Sequence, residues 1–244
     1  TKVYLTGHSM GGHGTWHVGV TTPGRFATLS PSAGWESFYS YGGSPRPPGP
    51  FARSRAHSDT LNYLSNIGGR GVYIVHGDAD DNVPIREGRN MFMAASRHTD
   101  DIEMHEEPGA GHWWNGDAGP GVDCVDWPPM FQFMKRRRLD PFELDFTFRS
   151  EGPSYSPDHS FVRIETATTP MADVVVTSSR TGATVTLETT NISTIRLDAT
   201  ALISRGIMNV VINGEEIELE MPYTYVGSMD GKIADRSGPF NQVF

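Results

Sequence analysis

Apolar and polar positions follow two different rhythms along this chain. Up to residue 139, short apolar runs alternate with stretches spaced for helices. Residues 3–6, 26–30, 72–75 and 102–106 predict strands, and residues 12–20, 59–67, 84–97 and 125–138 predict helices. Strands alternating with helices build a parallel sheet covered by helices. Pro23 stops the first helix, Gly68-Gly69-Arg70-Gly71 breaks the second, and Pro84 opens the third at a position that favours proline. Residues 35–56, rich in Gly, Pro and aromatics, predict a loop.

After Asp140 the rhythm shortens to period 2, as in Phe161-Val162-Arg163-Ile164-Glu165-Thr166 and Thr184-Val185-Thr186-Leu187-Glu188-Thr189. This alternation marks half-exposed strands. Asn213-Gly214 lies between two apolar runs, a strong hairpin signal. The expected organisation is α/β: an α/β domain over residues 1–139, then a small all-β, sandwich-like domain over residues 140–244. Both ends read as elements cut in progress. A piece of a longer protein is therefore expected, with the missing N-terminal part of the same protein as an expected partner. Any targeting signal would lie outside this chain, so the compartment is open.

Composition narrows the classes. At 37% hydrophobic and 20% charged residues the chain can bury a core. A formal charge of −9 argues against nucleic acid as a partner. The basic run Lys135-Arg136-Arg137-Arg138 is expected to complement carbonyls at the end of a helix. Cys124 is the single cysteine, which excludes an intrachain disulfide and a cysteine-based zinc site. No stretch has the length of a membrane-spanning helix.

The candidate chemistry begins at Gly7-His8-Ser9-Met10-Gly11, which fits G-x-S-x-G with an apolar strand before it and a helix after it. That context predicts a nucleophile elbow: a strained strand-to-helix turn exposing the Ser9 hydroxyl, with small flanking residues letting strand and helix approach. The same turn aims the Met10 N–H at a developing oxyanion. A serine hydroxyl needs a base, and the base needs an orienting acid. In this fold the acid and then the histidine follow later strands.

Residues 72–75 run into His76-Gly77-Asp78-Ala79-Asp80-Asp81-Asn82-Val83-Pro84, and residues 102–106 run into Pro108-Gly109-Ala110-Gly111-His112. His112 is the candidate base among nine histidines. His8 lies inside the elbow and His76 is expected to buttress the acid loop. Spacing leaves Asp78, Asp80 and Asp81 open as the acid. Asp78, Asp80 and Asn82 imitate the start of a calcium loop, but Val83 and Arg89 stand where it needs Gly and Glu. His13 and His17, one turn apart, read as packing residues because the glutamate of a zincin motif is missing. No metal and no cofactor is expected. The aromatic loop beginning at Trp35 makes Trp35 and Tyr39 candidate substrate-binding residues, and Trp113 beside the base is a third.

These pieces, Gly7-His8-Ser9-Met10-Gly11-Gly12, His76 through Pro84, and Gly109-Ala110-Gly111-His112, resemble the prolyl oligopeptidase family of serine hydrolases and its esterase-like relatives. The stretch from Gly7 to Trp35 and Asp123-Cys124-Val125-Asp126-Trp127 look like large bacterial members with a β-sandwich after the hydrolase domain. The resemblance implies Asp80 as the acid that orients His112. It also implies several further strands and helices upstream of the elbow strand, with the second oxyanion donor in one of their loops. Three functions are compatible with the residues: a peptidase of this family, a carboxylesterase acting on small or polysaccharide-linked esters, and a non-catalytic glycan- or protein-binding protein with a vestigial hydrolase half. The expected substrate is thus a peptide or an ester. The motif of the acid loop leans toward peptidases, whereas His8 beside the serine is common among esterases.

Overall fold

The computed structural model describes residues 1–244 apart from 44, 47, 57, 117, 118, 120, 121, 220–223, 228–232, 237–241 and 244. The chain divides into two compact units, Thr1–Leu139 and Asp140–Phe244.

In the first unit the elements run β1 (Tyr4–His8), α1 (Met10–Thr21), β2 (Thr28–Ser32), α2 (Pro50–Ala56), a 3-10 helix (Thr60–Ile67), β3 (Gly71–Gly77), α3 (Ile85–Ala95), β4 (Ile102–Glu107) and α4 (Pro128–Lys135). The four strands form one sheet in the order β1-β2-β3-β4, and every pairing is parallel. Alternation within β3 sends side chains to two cores. Val72 and Ile74 pack with Trp16, Leu29, Ile67 and Met91, while Tyr73 and Val75 pack with Met130 and Phe133. A parallel sheet needs such cover on both faces. The sheet order and the elbow at the end of β1 make this unit an α/β-hydrolase-like sheet.

The expected elements are present with shifted bounds. Helix α4 starts at Pro128 rather than at 125, because Pro128 disfavours helical backbone in the residue before it, and Trp127 is extended with φ −76° and ψ 110°. It ends at Lys135, so of the basic run only Lys135 lies in its last turn. Arg137 instead pairs with Asp101. The second expected helix is a 3-10 helix, and the expected loop at 35–56 closes with α2. Helix α1 carries four glycines, poor helix formers. Packing holds it: Trp16 is 1% exposed, and an added Cβ at Gly19 would meet Leu29 Cδ1 at 2.4 Å. No helix among the described residues is long and apolar enough to cross a membrane.

Cys124 is fully buried, and burial pushes its thiol up to about 11. Because the thiolate is the reacting form, iodoacetamide at pH 8 should leave Cys124 unmodified in the folded protein and alkylate it in denaturant. Mass spectrometry of both samples checks this.

The second unit contains β5 (Phe146–Ser150), β6 (Asp158–His159), β7 (Val162–Ala167), β8 (Val174–Thr181), β9 (Thr184–Thr190), β10 (Ile192–Leu197), α5 (Ala199–Ser204), β11 (Asn209–Ile212), β12 (Glu215–Glu218), β13 (Thr224–Gly227), β14 (Ile233–Arg236) and β15 (Gln242–Val243). One sheet has the order β12-β11-β9-β8-β5 and the other β14-β13-β15-β10-β7-β6. Buried Phe148, Val176, Val185 and Leu187 from the first join Ile164, Ile195 and Leu197 from the second in one cluster. The expected hairpin forms at Asn213 and Gly214, whose φ values of 50° and 86° suit a two-residue turn. Strand β11 pairs with β9 in parallel, after a crossover through β10 and α5.

Candidate active site

The C-terminal ends of β1, β3 and β4 bring the sequence-selected groups to one end of the sheet. Ser9 joins β1 to α1 with φ 57° and ψ −116°, a backbone region that costs a non-glycine residue energy and concentrates at functional sites. Its N–H donates to Ser32 O at 2.9 Å, and its carbonyl accepts from His13 N at 3.0 Å. The glycines around it are not equivalent. A Cβ at Gly7 would lie 2.5 Å from Gly11 O, and one at Gly12 would lie 2.3 Å from Ser32 O. A Cβ at Gly11 would meet nothing within 4 Å. Close approach therefore requires the first and third glycines, not, as the pattern alone suggests, those two positions either side of the serine. Met10 opens α1, where backbone N–H groups lack helical acceptors.

The acid loop folds around one carboxylate. Asp80 Oδ1 accepts from Asn82 N at 2.9 Å and Val83 N at 2.8 Å, and Oδ2 lies 2.8 Å from His112 Nδ1. The Asp80 side chain is wholly buried. Burial alone would raise its pKa, but hydrogen bonds from His76, His112 and the two backbone amides outweigh that and hold it at about 2. Asp78 is used differently: its carboxylate accepts from Gly109 N at 2.6 Å and ties the acid loop to the histidine loop. Asp81 is exposed. Of the three aspartates only Asp80 meets His112. With its Nδ1–H donated to Asp80, a neutral His112 keeps its lone pair on Nε2, the atom a base needs.

His76 buttresses the loop, with Nε2 2.9 Å from Val83 O and 3.4 Å from Asp80 Oδ2. His8 was not expected to touch His112, yet their ring centroids are 4.6 Å apart and Trp113 lies 4.3 Å from His8. Burial first, and the neighbouring His112 second, lower the His8 pKa to about 4. The unfolded ring takes up its proton near pH 6.5. The stability lost to protonating the unfolded state is thus absent above 6.5, grows as pH falls, and is complete below about 4. For a partly buried ring this amounts to about 1–2 kcal/mol after allowing for solvent screening. Wild-type Tm should therefore fall more steeply between pH 6.5 and 4 than that of His8→Phe, as thermal melts across that range would read.

The aromatic loop after β2 is a packed layer. Trp35 is 5% exposed, stacked on His13 at 4.9 Å and on Tyr41 at 4.4 Å. Phe38 is the exposed ring, and Tyr39 is half-buried with the Arg46 guanidinium 5.0 Å above it. Buried Glu87 on α3 anchors the layer by accepting from Glu36 N at 3.3 Å and from the Ser40 hydroxyl. Tyr41 OH donates to Asn82 Oδ1 at 2.9 Å, joining the layer to the acid loop. His13 donates from Nδ1 to Trp35 O at 2.9 Å, and His17 stacks parallel to it. Among the described residues no group of three His, Cys, Asp or Glu is placed to hold a metal.

Comparison with known proteins adds to this geometry. The profile of the prolyl oligopeptidase family matches residues 1–122, half of the chain. An uncharacterised secreted protein of Arthroderma benhamiae is 30% identical over 119 residues, covering 46% of this chain and 13% of that protein. Among solved structures, the acylaminoacyl peptidase of Pyrococcus horikoshii is similar at 14% identity and a TM-score of 0.45, over 56% of this chain and 24% of that one. The esterase domain of a Rhodothermus marinus protein is similar at 15% identity and a TM-score of 0.43, over 55% of this chain and 61% of that one. The chain thus spans less than two thirds of the length of each.

Proposed function

Because the chain belongs to the prolyl oligopeptidase family, we propose that its first unit is the catalytic part of a serine hydrolase. Ser9 is the nucleophile, His112 the general base and Asp80 the acid that orients it. The observation that carries this reading is the 2.8 Å contact from His112 Nδ1 to a buried Asp80, with the His112 ring 4.6 Å from that of His8, the residue before the strained Ser9.

His112 Nε2 takes the Ser9 proton as the hydroxyl oxygen attacks a substrate carbonyl. The Met10 N–H receives the oxyanion that forms, aided by the start of α1. His112, now imidazolium and stabilised by Asp80, gives its proton to the leaving amine or alcohol. A water then attacks the acyl carbonyl as His112 takes its proton, and His112 gives that proton to the Ser9 oxygen as the Ser9–acyl bond breaks and the carboxylic acid leaves. The aromatic layer with Trp35 behind it and Phe38 and Tyr39 at its surface borders the substrate, as does Trp113. The second unit, whose two sheets share one apolar cluster, is read as a β-sandwich.

The motif of the acid loop favours a peptide bond as the target. His8 beside the nucleophile favours an ester, the second reading. Turnover of a Pro-containing peptide amide and of p-nitrophenyl acetate by wild type and Ser9→Ala tests both. A peptidase hydrolyses the amide as well as the ester, an esterase the ester alone, and Ser9→Ala abolishes either activity. Hydrolysis that persists in Ser9→Ala contradicts the assignment.

A further inference from the structure

The hydrogen bond that His112 Nδ1 donates to Asp80 fixes where that atom sits, but not the plane of the ring around the contact. The plane decides whether Nε2 points at the serine, and something else must set it. His8 supplies a second contact to the ring. It precedes Ser9 directly and so rides on the same strained turn. Its Nδ1 meets the hydroxyl of fully buried Ser32 at 2.9 Å, tying the ring to the end of β2. Its ring centroid lies 4.6 Å from that of His112 and 4.3 Å from that of Trp113, tilted by 46° and 45°, and Trp113 packs edge-on against His112 at 5.3 Å. Three rings therefore close a triangle in which each blocks rotation of the others.

We propose that His8 is a positioning residue: tethered to Ser32 and wedged against His112 and Trp113, it fixes the plane of the His112 ring so that Nε2 faces Ser9. This rests on the assignment of Ser9 and His112 made above. Burial keeps His8 uncharged at neutral pH, so it does not repel the imidazolium that His112 becomes during the reaction. The role is thus steric and geometric, and it requires a ring more than it requires a titrating group.

The test compares wild type with His8→Ala, His8→Phe and Ser32→Ala. Each is followed by the rate of Ser9 phosphonylation with a fluorophosphonate and by kcat and KM on p-nitrophenyl acetate, from pH 6 to 9. Misplacing a reacting group by about 1 Å costs on the order of 100-fold. His8→Ala should therefore lower phosphonylation and kcat by roughly 10- to 100-fold, with KM within about twofold and the same loss at every pH. His8→Phe should recover most of that loss, and Ser32→Ala should fall between Phe and wild type. Should His8→Ala fail to fold by circular dichroism, the Phe and Ser32 variants carry the comparison: the role then predicts a small loss in both. Wild-type rates in His8→Ala, equal losses in Ala and Phe, or a loss that changes with pH would each overturn the role while labelling of Ser9 upheld the hydrolase reading. A folded wild type that is not labelled at all would overturn both.

Discussion

Asp80→Asn is expected to lower kcat/KM by about ten-thousand-fold, the scale of losing the orienting acid of a serine triad. The amide offers an N–H where the carboxylate offered a lone pair, so His112 is pushed to the tautomer with its proton on Nε2. That atom then cannot take the proton of Ser9. The buried carboxylate also stabilises the imidazolium, and an amide does not. The neighbouring aspartates give the contrast. Asp78→Asn weakens one hydrogen bond to Gly109 N and should cost less than about tenfold, since a single neutral bond contributes on the order of 1 kcal/mol. Asp81→Asn, at an exposed position, should leave the rate near wild type. Steady-state kinetics on p-nitrophenyl acetate rank the three. Equal losses at Asp78 and Asp80 would contradict the assignment of the acid.

The second large effect is on folding. Gly12→Ala places a methyl 2.3 Å from Ser32 O, 2.8 Å from Gly34 N and 2.9 Å from Gly34 Cα. All three are backbone atoms, so no side chain can swing aside. Helix α1 must move away from the end of β2, which also carries the acceptor for Ser9 N. Overpacking of this kind costs about 3 kcal/mol, a drop of roughly 6–12 °C in Tm for a chain of this size. Gly11→Ala meets open space and removes a poor helix former, so Tm should hold or rise by about 1–3 °C. Thermal melts of the two variants, which differ by one position, test the packing of the elbow. A Gly12→Ala protein as stable as wild type would refute the close approach.

How far the sequence could be read depended on the range of the physics involved. Ser9 and His112 stand out as candidates in the sequence because their signals are local: a glycine-flanked serine between a strand and a helix, and a histidine just past a later strand. The strands of the first unit were legible for the same reason, as was the Asn213-Gly214 hairpin, whose turn chemistry is complete within two residues. Asp80 was not separable from Asp78 and Asp81 by spacing. What distinguishes them is that Asp78 is turned toward Gly109 N and Asp80 toward His112, and the resemblance alone selected Asp80. The later start of α4 was readable in Pro128, which disfavours helix in Trp127 before it. The parallel pairing of β11 with β9 was not, since no local pattern encodes a crossover. Nor was the contact of His8 with His112, which depends on how the loop after β4 folds back over the end of β1. Trp35 was a candidate substrate-binding residue because it opens an aromatic-rich loop. Its ring is instead covered by His13 and Tyr41, and Phe38 holds the exposed place.

The central claim is that Ser9 is an activated nucleophile. The direct measurement is to treat the protein with a fluorophosphonate, digest it, and locate the adduct by mass spectrometry, with Ser9→Ala in parallel. A single adduct on the peptide holding Gly7-His8-Ser9-Met10-Gly11, absent from Ser9→Ala, is the predicted result. A folded wild-type protein with no adduct, or with the adduct on another residue, would contradict the account.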